Sequence, residues 1–269
     1  MMGVLSNMIE REGLKAGDHV YSWRTAHVYA HHGIYVGDGM VIHFTRAGGQ
    51  ETGTGTFLDR ILFSSSPVNT VAQCERCGDQ SRLHGVISSC IDCFLGGGKL
   101  YLFHYGVSPA FFIAKARGGT CTLAASDASD VVLHRANYLL NNGFGSYNIF
   151  GNNCEDFAVY CKTGLIVKTH FSVGRSGQLT SLTAAANVIV SSPLRFLTTG
   201  PAGLAVVATL MYTSGRYVAD VGVRRDVIKI DVERLAEQLG TQTSEEAQEA
   251  AVAEGSNASW LKCKLIKYF

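Results

Sequence analysis

The sequence lacks an excess of charge of either sign and lacks a continuous apolar run near its start. Its 269 residues carry 23 Lys and Arg against 22 Asp and Glu, which gives a formal net charge of +1. This balance predicts no basic surface, so we expect no nucleic-acid partner. Residues 1–18 have no apolar core of the kind that a secretory signal peptide needs. We therefore expect a cytoplasmic protein with reduced thiols rather than a disulfide framework.

Half of the eight cysteines form one cluster along the chain. They are two Cys-x2-Cys pairs separated by twelve residues: Cys74 with Cys77, and Cys90 with Cys93. Two such turns can place four thiolates around one tetrahedral metal ion, and this closed shell predicts structural zinc. The loop between the pairs, GDQSRLHG, is too polar to form a core, so metal would supply the folding energy. The alternative is a set of buried or redox-active thiols, and His84 is either a spare ligand or a surface residue.

A histidine-rich hairpin, HHGIYVGDGMVIH, occupies residues 31–43. Strands are predicted over 28–36 and 40–45, with a glycine-bearing turn at 37–39 between them. Further strands are predicted over 17–23 and 99–106. A helix is predicted over 127–142, and a loop followed by a helix that ends at Gly164 is predicted over 151–165.

The length of the hairpin turn decides which histidines share a face of the sheet. A three-residue turn puts His43 opposite Gly33 and on the same face as His31. It also pairs the apolar residues, Val36 with Met40 and Ile34 with Ile42. A two-residue turn would favour His32 instead, and the apolar pattern favours the three-residue turn.

Cys154 is the candidate nucleophile for these imidazoles. It follows Gly151-Asn152-Asn153 and opens the predicted helix, where backbone N–H groups and the helix dipole lower a thiol pKa. The alternative is a buried structural cysteine. Cys161, seven residues further along the same helix, fits that alternative better.

These motifs, HHGIYVGDGMVIH and NNCEDFAVYC, together with LKAGDHVYSWR, resemble the lecithin:retinol acyltransferase-like proteins. These proteins are a circularly permuted branch of the NlpC/P60 papain-like superfamily. The resemblance covers residues 10–170, and the whole chain looks most like the plant NC-domain, or LEAD-sensitive, group. It implies an α+β fold in which an antiparallel sheet packs on the helix that bears the cysteine, with the cysteine cluster as a small zinc-knuckle insertion.

The resemblance also implies the catalytic residues, which are Cys154, His31 and His43. The family's Asn-Cys-Glu-His reads Asn-Cys-Glu-Asp here, a departure at Asp156, a position thought to be structural. The implied activity is acyl transfer or hydrolysis through a thioester on Cys154, with phospholipid as the acyl donor and no organic cofactor. His31 would act as general base and then general acid, and His43 would orient it.

Two other functions compete with this interpretation. The first is a catalytically idle papain-like module that binds partners through the zinc insertion. The second is cell-wall peptide hydrolysis, against which the lack of a secretory signal argues. All three catalytic positions are filled, and this favours the enzyme.

The second half of the chain differs in character. Between residues 176 and 215 the only charged residue is Arg195. The stretch 182–215 fits a membrane anchor, an interfacial helix or a segment packed on the catalytic domain, and a lipid substrate favours the membrane. The expected layout has a family domain over 10–172 containing the 70–97 insertion, a low-charge apolar segment over 176–219 and a polar tail over 220–269.

Overall fold

The computed structural model describes residues 6–24, 29–45, 74–80, 83–115, 117–145, 152–167 and 201–239. Residues 176–200 of the predicted low-charge segment and residues 240–269 of the predicted tail lie outside the described residues. The first sheet contains β1 His19–Trp23, β2 Ala30–Gly37, β3 Met40–Thr45, β4 Gly85–Cys90 and β5 Tyr101–Leu102. Its strand order is β4-β3-β2-β1-β5, and neighbouring strands are antiparallel.

The described residues also contain α-helices, a short 3-10 helix over Arg11–Gly13, a helical stretch over 232–239 and a second small sheet. The helices are α1 Ile91–Leu95, α2 Pro109–Ala114, α3 Ser129–Asn142, α4 Cys154–Thr163 and α5 Pro201–Ala219. Strands β6 Leu165–Val167 and β7 Val227–Lys229 pair with each other. This is the α+β architecture that the sequence predicted, with both predicted helices present. The strand predicted over 99–106 is shorter, because the N–H of His104 donates to the Thr120 carbonyl instead of continuing the ladder.

The hairpin turn has two residues rather than the predicted three. Gly37, not Val36, lies opposite Met40. Asp38 and Gly39 form the turn with φ angles of 50° and 68°, as a type I′ turn requires. The prediction of a three-residue turn was therefore wrong.

A bulge restores the predicted register beyond the turn. The pairing shifts between Tyr35 and Gly37, so one extra residue is absorbed there, and Ile34 lies opposite Ile42 as predicted. The predicted common face of His31 and His43 therefore survives the shorter turn.

The two faces of the sheet are covered by different helices. Ile34 shares the main buried apolar cluster with Phe157 of α4. On the opposite face, the Phe94 ring of α1 lies 5.3 Å from the His31 ring, centroid to centroid. Because side chains alternate along β2, the cysteine-bearing helix packs against the face of His32 and not against the face of His31.

Part of the expected polar tail belongs to the core. Ile230, Val232 and Leu235 are buried in the main apolar cluster. The preceding helix α5 is tied down at its end, where Arg216 donates to the Lys115 carbonyl oxygen. The described residues contain no helix that is both long and apolar enough to cross a membrane.

Candidate active site and cysteine cluster

His31 and His43 form a buried imidazole pair. The Nε2 of His31 lies 2.8 Å from the Nδ1 of His43, and the second His43 nitrogen lies 2.8 Å from the Ser89 hydroxyl. The two rings meet edge to face, and the Phe94 ring contacts both. The structure therefore brings together the two histidines that the sequence singled out, with one hydrogen bond between them.

The second nitrogen of His31 has no hydrogen-bond partner among the described residues. Its Nδ1 is buried, and the whole side chain is only 1% exposed. An unpartnered buried imidazole nitrogen is costly, so such an atom calls for an explanation. A bare lone pair at that position is what a general base presents to its substrate.

Cys154 starts α4 as predicted. The side chain of Asn153 accepts hydrogen bonds from the N–H groups of Glu155 and Asp156, and the Asp156 carboxylate accepts one from the Asn153 N–H. This reciprocal capping box fixes where the helix begins. Asp156, at the position where the sequence departs from the family motif, therefore has a structural role.

The thiol of Cys154 is completely buried and lies beside a hydroxyl group. Its Sγ is 2.7 Å from the Tyr29 hydroxyl and 3.8 Å from the Ala30 carbonyl oxygen. His31 follows Ala30 directly, but its Nδ1 is not bonded to the thiol. The structure thus places the thiol against the start of β2, and direct transfer of its proton to His31 would require the two groups to approach each other.

A half-buried cation, Arg24, completes the surroundings. Its guanidinium donates to the carbonyl oxygens of Phe94 and Leu95 at the end of α1. Burial lowers the pKa of Arg24, while the neighbouring Tyr29 and Cys154 act to raise it. Because a nearby cation favours a thiolate, Arg24 is suited to stabilise an ionised Cys154.

Burial keeps the imidazoles uncharged. It lowers the pKa of His43 to about 3, and burial, with electrostatic contributions from His43 and Arg24, holds the pKa of His31 well below its usual value. A second buried pair, His19 and His32, joins Nε2 to Nδ1 at 2.9 Å, and burial lowers the pKa of His32 to about 3. His31 therefore rests in the neutral form that a general base needs.

The four predicted metal ligands also come together. The sulfur atoms of Cys74, Cys77, Cys90 and Cys93 all lie within 4.8 Å of one another. The Cys74 and Cys90 sulfurs are 3.7 Å apart, close to the roughly 3.8 Å expected across a tetrahedral zinc site. Backbone N–H groups lower the pKa of Cys74 to about 7, and burial raises that of Cys93. His84 is exposed and lies outside this group of ligands.

Sequence reasoning missed four residues around these groups: Arg24, Tyr29, Gln80 and Ser89. Arg24 is the last residue of the LKAGDHVYSWR motif, but the carbonyl groups that it binds lie about seventy positions away in the sequence. Tyr29 lies two residues before His31, and only the position of α4 reveals that its hydroxyl meets the thiol. Ser89 directly precedes a predicted ligand, Cys90, and no local signal indicates that its hydroxyl meets His43.

Comparison with known proteins identifies a family whose match includes these site residues. The family model for lecithin retinol acyltransferase matches residues 12–167, a range that includes the hairpin and α4. The chain is 54% identical over 241 residues to Protein LEAD-SENSITIVE 1 of Arabidopsis thaliana, covering 89% of this chain and 93% of that protein. No solved structure gives a significant match. The extent of the family match and the similarity to this relative show that the chain belongs to the lecithin retinol acyltransferase family.

Proposed function

We propose that the protein is a thiol acyltransferase or acyl hydrolase that works through a thioester on Cys154. The observation that carries this proposal is the pairing of His31 with His43, which leaves the buried Nδ1 of His31 without a partner. Family membership supports acyl transfer as the reaction class. Phospholipid acyl esters are the proposed donors, and water, an amine or an alcohol is the acceptor.

The reaction proceeds by two transfers at one acyl carbon. The Cys154 sulfur attacks that carbon while the thiol proton moves to Nδ1 of His31. The carbon–oxygen ester bond then breaks, and the leaving alcohol takes the proton from His31. In the second half, the acceptor gives its proton to His31, attacks the thioester and displaces the sulfur, which recovers the proton.

The groups around the thiol have separable roles in this scheme. We assign oxyanion stabilisation to the backbone N–H groups at the start of α4, including that of Cys154. The Tyr29 hydroxyl and the Arg24 charge stabilise negative charge on the sulfur.

We further infer that the cysteine cluster holds one structural zinc ion. Four sulfur ligands and a closed tetrahedral shell suit zinc and leave no coordination position for substrate. The cluster is an insertion within a circularly permuted papain-like fold. In this fold, the hairpin histidines precede the cysteine helix in the chain.

The protein is also proposed to work at a membrane surface, because its lipid substrate resides there. Exposed apolar side chains on α5 support this proposal: Val206, Leu210, Met211 and Val218. Such a stripe suits an interfacial helix.

The second candidate function is a binding module that does not turn over substrate. Complete burial of Cys154 favours it, because a nucleophile must be reached by its substrate. The zinc knuckle would then contact a partner protein.

Turnover of a phospholipid vesicle panel by the full chain separates the two functions. Wild-type protein and the matched control Cys161→Ala, altered on the same helix, should release lysophospholipid, whereas Cys154→Ser should release none. No release by any of the three proteins would favour the binding module, and release by Cys154→Ser at the wild-type rate would contradict the thioester on Cys154.

A further inference from the structure

The Gln80 side-chain amide has a defined orientation. Its nitrogen lies 2.9 Å from the carbonyl oxygen of Ser88, and its oxygen lies 2.6 Å from the Ser89 hydroxyl. A carbonyl oxygen only accepts hydrogen bonds, so the amide nitrogen must face Ser88. The amide oxygen of Gln80 is therefore the acceptor for the Ser89 proton.

This orientation sets the direction of every hydrogen bond that follows. Since the Ser89 hydroxyl donates to Gln80, the Ser89 oxygen accepts a hydrogen bond from the protonated Nε2 of His43 at 2.8 Å. Neutral His43 carries only that one ring proton, so its Nδ1 accepts from Nε2 of His31, also at 2.8 Å. Neutral His31 is then left with no proton on Nδ1.

We propose that Gln80 and Ser89 are positioning residues that fix the tautomers of His43 and His31 and keep the Nδ1 of His31 available as a base. The inference rests on the proposed function for its catalytic meaning. It also accounts for the unpartnered buried nitrogen of His31, which is the unprotonated end of the chain of hydrogen bonds. A reversed amide would put a proton on that nitrogen and remove the base.

Both positioning residues lie close in the chain to members of the cysteine cluster. Gln80 lies three positions after Cys77, and Ser89 directly precedes Cys90. The N–H of Cys90 donates to the Cys77 sulfur at 3.0 Å, which ties the two segments together. We infer that the cluster, by joining these segments, helps to hold the Gln80 side chain against Ser89.

Nitrogen-15 NMR of the full chain, labelled at its histidines, tests the assigned tautomers without substrate. In the wild type, His31 and His43 should both show protonated Nε2 and unprotonated Nδ1, with signals assigned through His31→Gln and His43→Gln. Ser89→Ala and Gln80→Leu should each produce a mixture of tautomers. Ser88→Ala is the matched control because it changes the adjacent serine and leaves the Ser88 carbonyl in place. Ser89→Thr retains the hydroxyl and should preserve the wild-type signals.

Steady-state kinetics provide a second test, in which kcat and KM of the same variants are measured separately. Ser89→Ala and Gln80→Leu should lower kcat by about 10-fold to 100-fold with little change in KM, less than the loss on removing the base itself. Wild-type His31 carrying its proton on Nδ1, or tautomers unchanged in both folded variants, would overturn the inference. If the tautomers behave as expected but no lipid is turned over, the proposed function fails and the positioning role stands.

Discussion

The Ala30 carbonyl oxygen lies 3.8 Å from the sulfur of Cys154, so the candidate nucleophile touches the residue immediately before the candidate base. Helix α4 and strand β2 are thus in contact at the point where both begin. Because neighbouring side chains on β2 alternate between faces, a one-residue error in the assignment of the base would select a different imidazole pair.

The first prediction separates His31 from His32. His31→Gln should lower turnover about 10²-fold to 10⁴-fold, the range typical of a general base. His32→Gln should leave turnover within about fivefold but lower the free energy of unfolding by about 1–3 kcal/mol, because His19 loses a buried partner. Steady-state rates and urea unfolding measure both effects. If His32→Gln is the severe change and His31→Gln is silent, the family mapping is wrong.

The second prediction is that the protein is unstable in acid. Four buried histidines have lowered pKa values, and those of His32 and His43 are about 3, against about 6.5 in the unfolded chain. The unfolded state therefore binds more protons than the folded state between these values, so stability falls as pH drops below about 6.5. Each such histidine contributes up to about 1.4 kcal/mol per pH unit in that window.

Urea unfolding between pH 7.5 and pH 5 measures this loss. A free energy of unfolding that stays constant down to pH 5 would mean that the imidazoles protonate without disturbing the fold.

The third prediction concerns the metal. Purified full chain should carry one zinc ion, which Cys77→Ser or Cys90→Ser should remove. Loss of metal should increase hydrogen exchange over residues 74–80 and 85–95 more than in α3, which lies outside the knuckle. Elemental analysis and exchange mass spectrometry give the readouts, with His84→Ala as the control. A fully folded, metal-free protein from zinc-replete cells would contradict the prediction.

The fourth prediction places α5 at a membrane surface. Val206 and Leu210 are 59% and 62% exposed, so replacing both by glutamate should not disturb the core. The double variant should bind liposomes of mixed neutral and anionic phospholipid at least about tenfold more weakly, since each apolar side chain is worth about 1.5–3 kcal/mol when buried. Val131→Glu, at an exposed valine of α3, is the matched control. Equal liposome binding by all the proteins, or none, would remove the membrane role of α5.

Local sequence signals predicted the elements that carry the site. Helix α4 follows from its capping residues and its terminal Gly164, and the cysteine cluster follows from its spacing. The register beyond the turn was predicted through the pair of Ile34 and Ile42, although the bulge that maintains it was not. A two-residue turn combined with a bulge gives the same pairing of Ile34 with Ile42 as a three-residue turn would, so the apolar pattern does not distinguish the two.

The local sequence patterns did not predict the long-range contacts. Nothing near Tyr29 indicates that its hydroxyl meets a cysteine 125 positions away. Ile230 lies in a polar region, yet it fills the core because β7 pairs with β6. Such partners are chosen by tertiary packing, which the local pattern does not encode.

The central claim is tested most directly by the intact mass of the full chain after brief incubation with a panel of phospholipids. The account predicts a mass increase equal to one fatty acyl group, mapped to Cys154 by peptide analysis, labile to hydroxylamine and absent from Cys154→Ser. An unmodified chain that nonetheless turns over lipid, or an adduct on another cysteine, would contradict it.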